Sequence, residues 1–264
     1  MKTIYLDFNG TLETGSELSL TRAVNEIFRE MGIKKRYTPE EMLRNFGKPL
    51  AEIIRSDIPE DIDMRDAIER IRKKDLSHME KYIKPAYGSE ETIKEISENG
   101  DRLIILSLTN RTLLNAFLEK HNLNHYVGSI VWEDLERQDE ELKRFLAKTS
   151  VHDFGGSEKF YQFLVGYLKQ APTEEDFKSY SLCCGARSQD SDLTVMVGDA
   201  KEDMLACQKA NELLTREYDY LEKKYGIVKH RKSIIGVLLD PDGNKSIPCN
   251  YRIRELPEIL RIFY

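Results

Sequence analysis

Apolar residues in this chain gather in short unbroken runs, and stretches of helical period lie between them. The runs are TIYL before Asp7, RLIIL before Ser107, SIVW around Val131, LTVMV before Gly198, and SIIGVLL ending at Leu239. Each is rich in Ile, Val and Leu. None alternates as a strand with one wet face would. The pattern predicts strands buried on both faces of a parallel sheet. Helical patterns cover Thr92 to Asn99, Thr112 to His121 and Asp203 to Ala210, with Thr109 or Asn110 placed to cap the second. Strands alternating with helices predict an α/β fold with a doubly wound parallel sheet. Ligands of such sheets sit outside the carboxyl ends of the strands. Asp7, Ser107 and Asp199 fall at those ends.

Between Glu13 and Tyr87 the pattern changes. SLTRAVNEIFREMG, TPEEMLRNFG, PLAEIIRSD and DMRDAIERIRKKDLSHMEKYI read as helix after helix, with no strand between them. The expected organisation is an α/β core formed by 1–12 and 88–264, with an all-helical domain, 13–87, inserted after the first strand. Two charged stretches, 133–157 and 212–232, read as surface helices. No internal repeat or low-complexity linker is evident.

Composition narrows the class. The chain has 264 residues, of which 40% are hydrophobic and 33% charged, with a net charge of −6. A core of useful size is within reach. The acidic balance disfavours general nucleic-acid binding. No stretch approaches the roughly 20 apolar residues of a membrane span, and the start of the chain has no signal-peptide pattern. A cytoplasmic protein is expected. Cys183, Cys184, Cys207 and Cys249 show no metal or disulfide spacing and read as reduced structural thiols. The histidines form no catalytic pattern.

The chemistry lies at the strand ends. Asp7 is followed by Asn9, Gly10 and Thr11. Ser107 closes the second run. Asp199 and Asp203 stand in VGDAKED. A lysine lies between the second and fourth runs, Lys159 in GGSEKFYQFL, with Lys148 as rival. A carboxylate attacks phosphorus only if the substrate's own charge is screened, which a divalent cation and a lysine can do. Mg²⁺ takes oxygen ligands, and two strand-end carboxylates with phosphate and waters supply them. Gly10 permits a tight turn whose N–H groups can face an anion.

Taken in order, DFNGTL, LIILS, Lys159 and GDAKED resemble the four motifs of the haloacid dehalogenase (HAD) superfamily. The helical insert resembles the small cap of its phosphoglycolate phosphatase-like and β-phosphoglucomutase-like members. FGKPLAEII and KPAYGSEETIKEI resemble the cap helix and re-entry segments of that group. The resemblance implies Mg²⁺-dependent hydrolysis of a small phosphorylated metabolite by a monomer or homodimer. Asp7 is then the nucleophile and a metal ligand, joined at the metal by the Asn9 main-chain carbonyl, Asp199 and Asp203. Ser107 and Lys159 hold the phosphoryl group. Gly10, Thr11 and Leu108 line the substrate site, and the cap contributes Arg44 and Lys48.

The sequence departs from that family at Asn9, where its phosphatases usually place an acid–base Asp. An amide cannot exchange a proton near neutral pH, and general acid–base catalysis contributes typically 10²–10⁴-fold. Three readings follow: a slow or specialised phosphohydrolase, a phosphotransferase-like protein with a persistent aspartyl-phosphate, and a binding or regulatory protein.

Overall fold

The computed structural model describes residues 2–46, 48, 50–131, 193–225 and 233–264. Lys148, Lys159, Trp132, Cys183, Cys184 and the stretch 133–157 lie outside them. Among the described residues the strands are, in chain order, β1 (Thr3–Leu6), β2 (Glu13–Thr14), β3 (Lys84–Pro85), β4 (Arg102–Ser107), β5 (Gly128–Val131), β6 (Thr194–Gly198), β7 (Ile234–Leu239) and β8 (Tyr251–Ile253). The helices are α1 (Ser16–Glu30), α2 (Pro39–Leu43), α3 (Leu50–Ile54), α4 (Met64–Tyr82), α5 (Ser89–Glu98), α6 (Arg111–Lys120), α7 (Lys201–Tyr225) and α8 (Glu258–Phe263).

Six strands form one parallel sheet in the order β5-β4-β1-β6-β7-β8. Both faces of its centre are buried, which explains the unbroken apolar runs. Ile4, Leu6, Leu103, Ile105, Val195, Val197, Val237 and Leu239 share one core with Ile93 and Ile96 of α5, Leu113 and Phe117 of α6, and Ile259 of α8. Tyr5, Ile104, Met196 and Leu238 point the other way and are equally buried. Gly236 leaves room on that side for α7, since a Cβ there would meet Met204 Sδ at 3.1 Å and Cys207 Sγ at 3.3 Å.

The order of strands fixes where a ligand belongs. From β1 the chain proceeds to β4 and β5 on one side. From β6, which pairs with the other side of β1, it proceeds outward to β7 and β8. The crevice between the ends of β1 and β6 is therefore the topological switch point. Leu6 pairs with Val197 there, and the Asp7 N–H donates to the Val197 carbonyl at 2.9 Å. Asp7 and Asp199 leave the sheet side by side.

The helical insert has a core of its own. Val24, Ile27 and Phe28 of α1 pack with Tyr37, Met42 of α2, Ile54 of α3 and Ile71 of α4. Burying a side chain such as Phe28 stabilises by about 1.5–3 kcal/mol. Thr38 starts α2 with a complete capping box to Glu41, and Asp63 caps α4 through the Arg65 N–H. At the far end of α4, Met79 joins the core of the sheet instead.

The structure differs from the pattern-based reading in four places. The 13–87 segment is not free of strands, because β2 and β3 form an antiparallel pair where it leaves and rejoins the sheet. Two residues each are too few to show a period. The edge strand β8 carries no apolar run, since Tyr251 and Arg252 are exposed and only Ile253 is buried. The helix after β6 runs unbroken to Tyr225, so the charged stretch beginning at Glu212 continues it. Helix α5 starts at Ser89, directly after Gly88.

Candidate active site

Three carboxylates converge at the switch point. Asp7, Asp199 and Asp203 each offer an oxygen, and those oxygens lie within 4.8 Å of one another. Asp7 is 2% exposed and Asp203 fully buried, while Asp199 is half-buried. Asp7 comes from the end of β1, Asp199 from the end of β6, and Asp203 from the first turn of α7. Asp203 also serves that helix, because its Oδ2 accepts the Ala200 N–H at 3.0 Å. Its carboxylate lies where a Cβ on Gly198 would stand, so only glycine lets the strand end approach so closely.

The turn after Asp7 closes the other wall. The N–H groups of Thr11, Leu12 and Glu13 all donate to the Phe8 carbonyl, at 3.3, 2.9 and 3.2 Å. Gly10 has φ +75°, the left-handed conformation that favours glycine, and a Cβ there would come within 2.8 Å of Asp199 Oδ2. Thr11 is fully buried, and its Oγ1 has no hydrogen-bond partner among the described residues.

Across the crevice, Ser107 is fully buried at the end of β4, and its Oγ accepts the Thr109 N–H at 3.0 Å. Leu108 and Thr109 are half-buried in the turn that follows. The Thr109 hydroxyl donates to Asn9 Oδ1 at 3.1 Å. Asn110 caps α6, accepting from the Thr112 and Leu113 N–H groups. The cap is thus Asn110, and Thr109 faces the site.

The structure brings Asp7, Asn9, Gly10, Thr11, Asp199 and Asp203 together, with Ser107 and Leu108 on the neighbouring strand end. Arg44 and Lys48 are exposed on the insert and satisfied locally: Arg44 Nε donates to the Glu40 carbonyl at 3.2 Å and Lys48 Nζ to Asn45 Oδ1 at 3.3 Å. Lys159 and Lys148 lie outside the described residues.

Three further residues belong to this region: Thr109, which the sequence offered only as a possible helix cap, and Lys245 and Glu13, which it did not single out. Lys245, on the β7–β8 connection, places Nζ 2.6 Å from the Asp199 carbonyl oxygen and 3.5 Å from its Oδ2. Thr109 holds Asn9. Glu13, fully buried beside the turn, accepts from Ser16 Oγ at 2.6 Å. Burial pushes its carboxyl up to about 8 against the lowering effect of Ser16. A polar residue immediately behind GTL is the only sequence sign of Glu13. Lys245 has none, because its place depends on how the chain crosses after β7.

Three carboxylates, two of them buried, at the carboxyl ends of central parallel strands match the hard-oxygen donor set that magnesium takes. Residues 4–154 match the model of the haloacid dehalogenase-like hydrolases. The chain belongs to that family. It is 22% identical to the pyrophosphatase PpaX of Halalkalibacterium halodurans over 262 residues, 99% of this chain and 96% of that protein. The fold resembles CbbY from Rhodobacter sphaeroides, solved in complex with phosphate, with a TM-score of 0.61 at 13% identity over 98% of this chain and 96% of that one. It also resembles the HAD-hydrolase YfnB from Bacillus subtilis, solved bound to magnesium, with a TM-score of 0.54 at 14% identity over 99% and 97% of the two chains. The parallel sheet with its helical insert agrees with the fold expected from the motifs.

Proposed function

We propose that this hydrolase is a Mg²⁺-dependent phosphohydrolase that transfers a phosphoryl group to Asp7 and then to water. The convergence of Asp7, Asp199 and Asp203 at the switch point carries the reading. The ion, held by these carboxylates and the Asn9 main-chain carbonyl, would neutralise charge on the phosphoryl oxygens. An Asp7 oxygen attacks phosphorus, the bond to the leaving group breaks, and the leaving group departs with the electron pair. Water then attacks the phosphorus of the acyl phosphate, the P–O bond to Asp7 breaks and restores its carboxylate, and inorganic phosphate leaves with the water's proton released to solvent. Ser107 holds a phosphoryl oxygen, with Lys159 as the further cation; the N–H groups of Gly10, Thr11, Leu12 and Glu13 are taken up within the turn itself. The 13–87 unit acts as the cap that selects the leaving group.

Asn9 sets the substrate class. It has no proton to give, so a leaving group that must be protonated, such as an alkoxide, departs slowly. A phosphoanhydride or aryl phosphate releases an anion that is already stable. The pyrophosphatase name of the bacterial relative agrees with that preference. The same amide also supports a second reading, a phosphotransferase or switch in which phosphorylated Asp7 persists because no base activates water.

Hydrolysis of an aryl phosphate and of pyrophosphate with Mg²⁺, by wild type, Asn9→Asp and Asp7→Asn, tests both. Turnover by wild type, its loss in Asp7→Asn and faster turnover in Asn9→Asp support the hydrolase. Stoichiometric labelling of Asp7 without turnover supports the switch. Inert wild type and Asn9→Asp, both folded and unlabelled, would overturn both readings.

A further inference from the structure

The connection between β7 and β8 is built around one buried carboxylate. Asp240 is fully buried at the end of β7. Its oxygens accept the N–H groups of Asn244 at 3.3 Å and Lys245 at 3.0 Å, and its Oδ2 takes the Arg252 guanidinium. Arg252 reaches from β8 and also donates to the Lys245 carbonyl at 2.5 Å and the Ile247 carbonyl at 3.2 Å. Burial alone would raise the Asp240 pKa. The hydrogen bonds from Lys245, Arg252 and Asn244 outweigh burial and hold the carboxyl below its usual range. A charge-assisted hydrogen bond from Arg to a carboxylate is among the stronger polar contacts, and the second guanidinium nitrogen is spent on the Ile247 carbonyl. The clasp therefore fixes the main chain on both sides of Lys245.

What the clasp presents is the Lys245 side chain. Its Nζ reaches both the main-chain oxygen and the carboxylate of Asp199. Contact with two parts of one residue restrains the torsions between them, so the ammonium fixes the direction of the carboxylate. The whole Asp199 carboxylate faces Gly10, so the same contact bears on the spacing between the β6 end and the Asp7 turn.

We propose that Lys245, held by the Asp240–Arg252 clasp, is a positioning residue for Asp199, engaging one carboxylate oxygen and orienting the other for the metal. The proposal rests on the magnesium reading given above. It adds a functional cation that arrives after the fourth motif, from a part of the chain that the motifs do not reach. Outer partners that orient a ligand typically contribute 10–100-fold in metal affinity or activity.

The test is calorimetric titration of Mg²⁺ into the full chain, with thermal melts in the absence of metal. Lys245→Met is expected to bind Mg²⁺ about tenfold or more weakly than wild type. Lys245→Arg, which keeps a charged donor, should recover most of that loss. A merely structural lysine would lower the melting temperature without this pattern. Unchanged affinity in Lys245→Met overturns the proposal. So does tighter binding, which would mean that the lysine only repels the ion. If Lys245→Met does not fold, Lys245→Gln replaces it, with a smaller loss expected and unchanged affinity again decisive against the proposal. A wild type that takes up no Mg²⁺ removes the magnesium reading and this one together. A wild type that binds it beside an unaffected Lys245→Met removes this one alone.

Discussion

The Thr109 hydroxyl, just beyond the end of β4, donates to Asn9 Oδ1 in the turn after β1. With its oxygen held by Thr109, the Asn9 side chain is oriented by that bond, and its NH₂ remains a donor to a substrate. It is held as a hydrogen-bonding group where a proton-transfer group would be expected. Thr109→Val frees that amide to rotate. A neutral hydrogen bond contributes about 1 kcal/mol, so a roughly fivefold fall in kcat/KM for an aryl phosphate is expected, with little change in melting temperature. A wild-type rate in this variant would show that the orientation of Asn9 does not matter to turnover.

Gly10 meets two demands at once, a left-handed backbone and an approach to Asp199 that leaves no room for a Cβ. Gly10→Ala should cost about 1–2 kcal/mol in backbone strain. It should also push Asp199 away from Asp7. The expected result is a modest drop in melting temperature with a disproportionate loss of Mg²⁺ affinity, read by titration calorimetry. A stability loss alone would mean that the turn, and not the acid spacing, requires glycine.

Asp203 both caps α7 through the Ala200 N–H and joins the acidic trio. Asp203→Asn separates the two tasks, because an amide oxygen still accepts the Ala200 N–H but carries no charge. Metal-free stability should stay within about 1 kcal/mol of wild type, the worth of a cap. Mg²⁺ binding should weaken severalfold. Asp203→Ala should lose both, and melts with and without Mg²⁺ distinguish the two variants.

Glu13 predicts a pH dependence. Burial raises its carboxyl from 4.5 to about 8 in the folded chain, and nearby Glu17 adds to the effect against the Ser16 hydrogen bond. Between those values the folded state keeps a proton that the unfolded state has released. Stability from this group is therefore complete below about 4.5 and falls as pH rises toward about 8. Glu13→Gln keeps the shape and removes the titration. Its melting temperature should exceed that of wild type at pH 8, with the gap closing toward pH 5. Parallel melting curves for the two proteins across that range would contradict the assignment.

Much of this architecture is legible in the sequence because its physical cause is local. β1, β4, β6 and β7 are covered on both faces, so their residues are apolar without a break. Asp7 and Asp199 stand out because a charge ends each run. β2 and β3 leave no mark, since two residues cannot display a period. β8 is an edge strand with two exposed side chains in three, and an edge need not be apolar. Thr109 and Asn110 are adjacent and both suited to capping, so only the geometry tells which one serves α6 and which one turns to Asn9. Lys245 is a further step removed. Its position follows from Asp240 and Arg252 meeting across a connection between two strands, and no spacing in the chain encodes that meeting.

The β2–β3 pair has a consequence for how such proteins diversify. The chain leaves the sheet at Leu12 and returns at Ala86, and the Ala86 N–H donates to the Leu12 carbonyl at 2.9 Å. Viewed from the sheet, the whole helical insert hangs from a joint no wider than a hairpin. Loop-closure entropy grows only slowly with the length of what is enclosed. Beyond Met79 and Ile83, which join the core of the sheet with Leu76 packed against it, the sheet would barely register a different passenger. Evolution, or an engineer, can exchange the helices at this joint without touching the strands that carry Asp7 and Asp199.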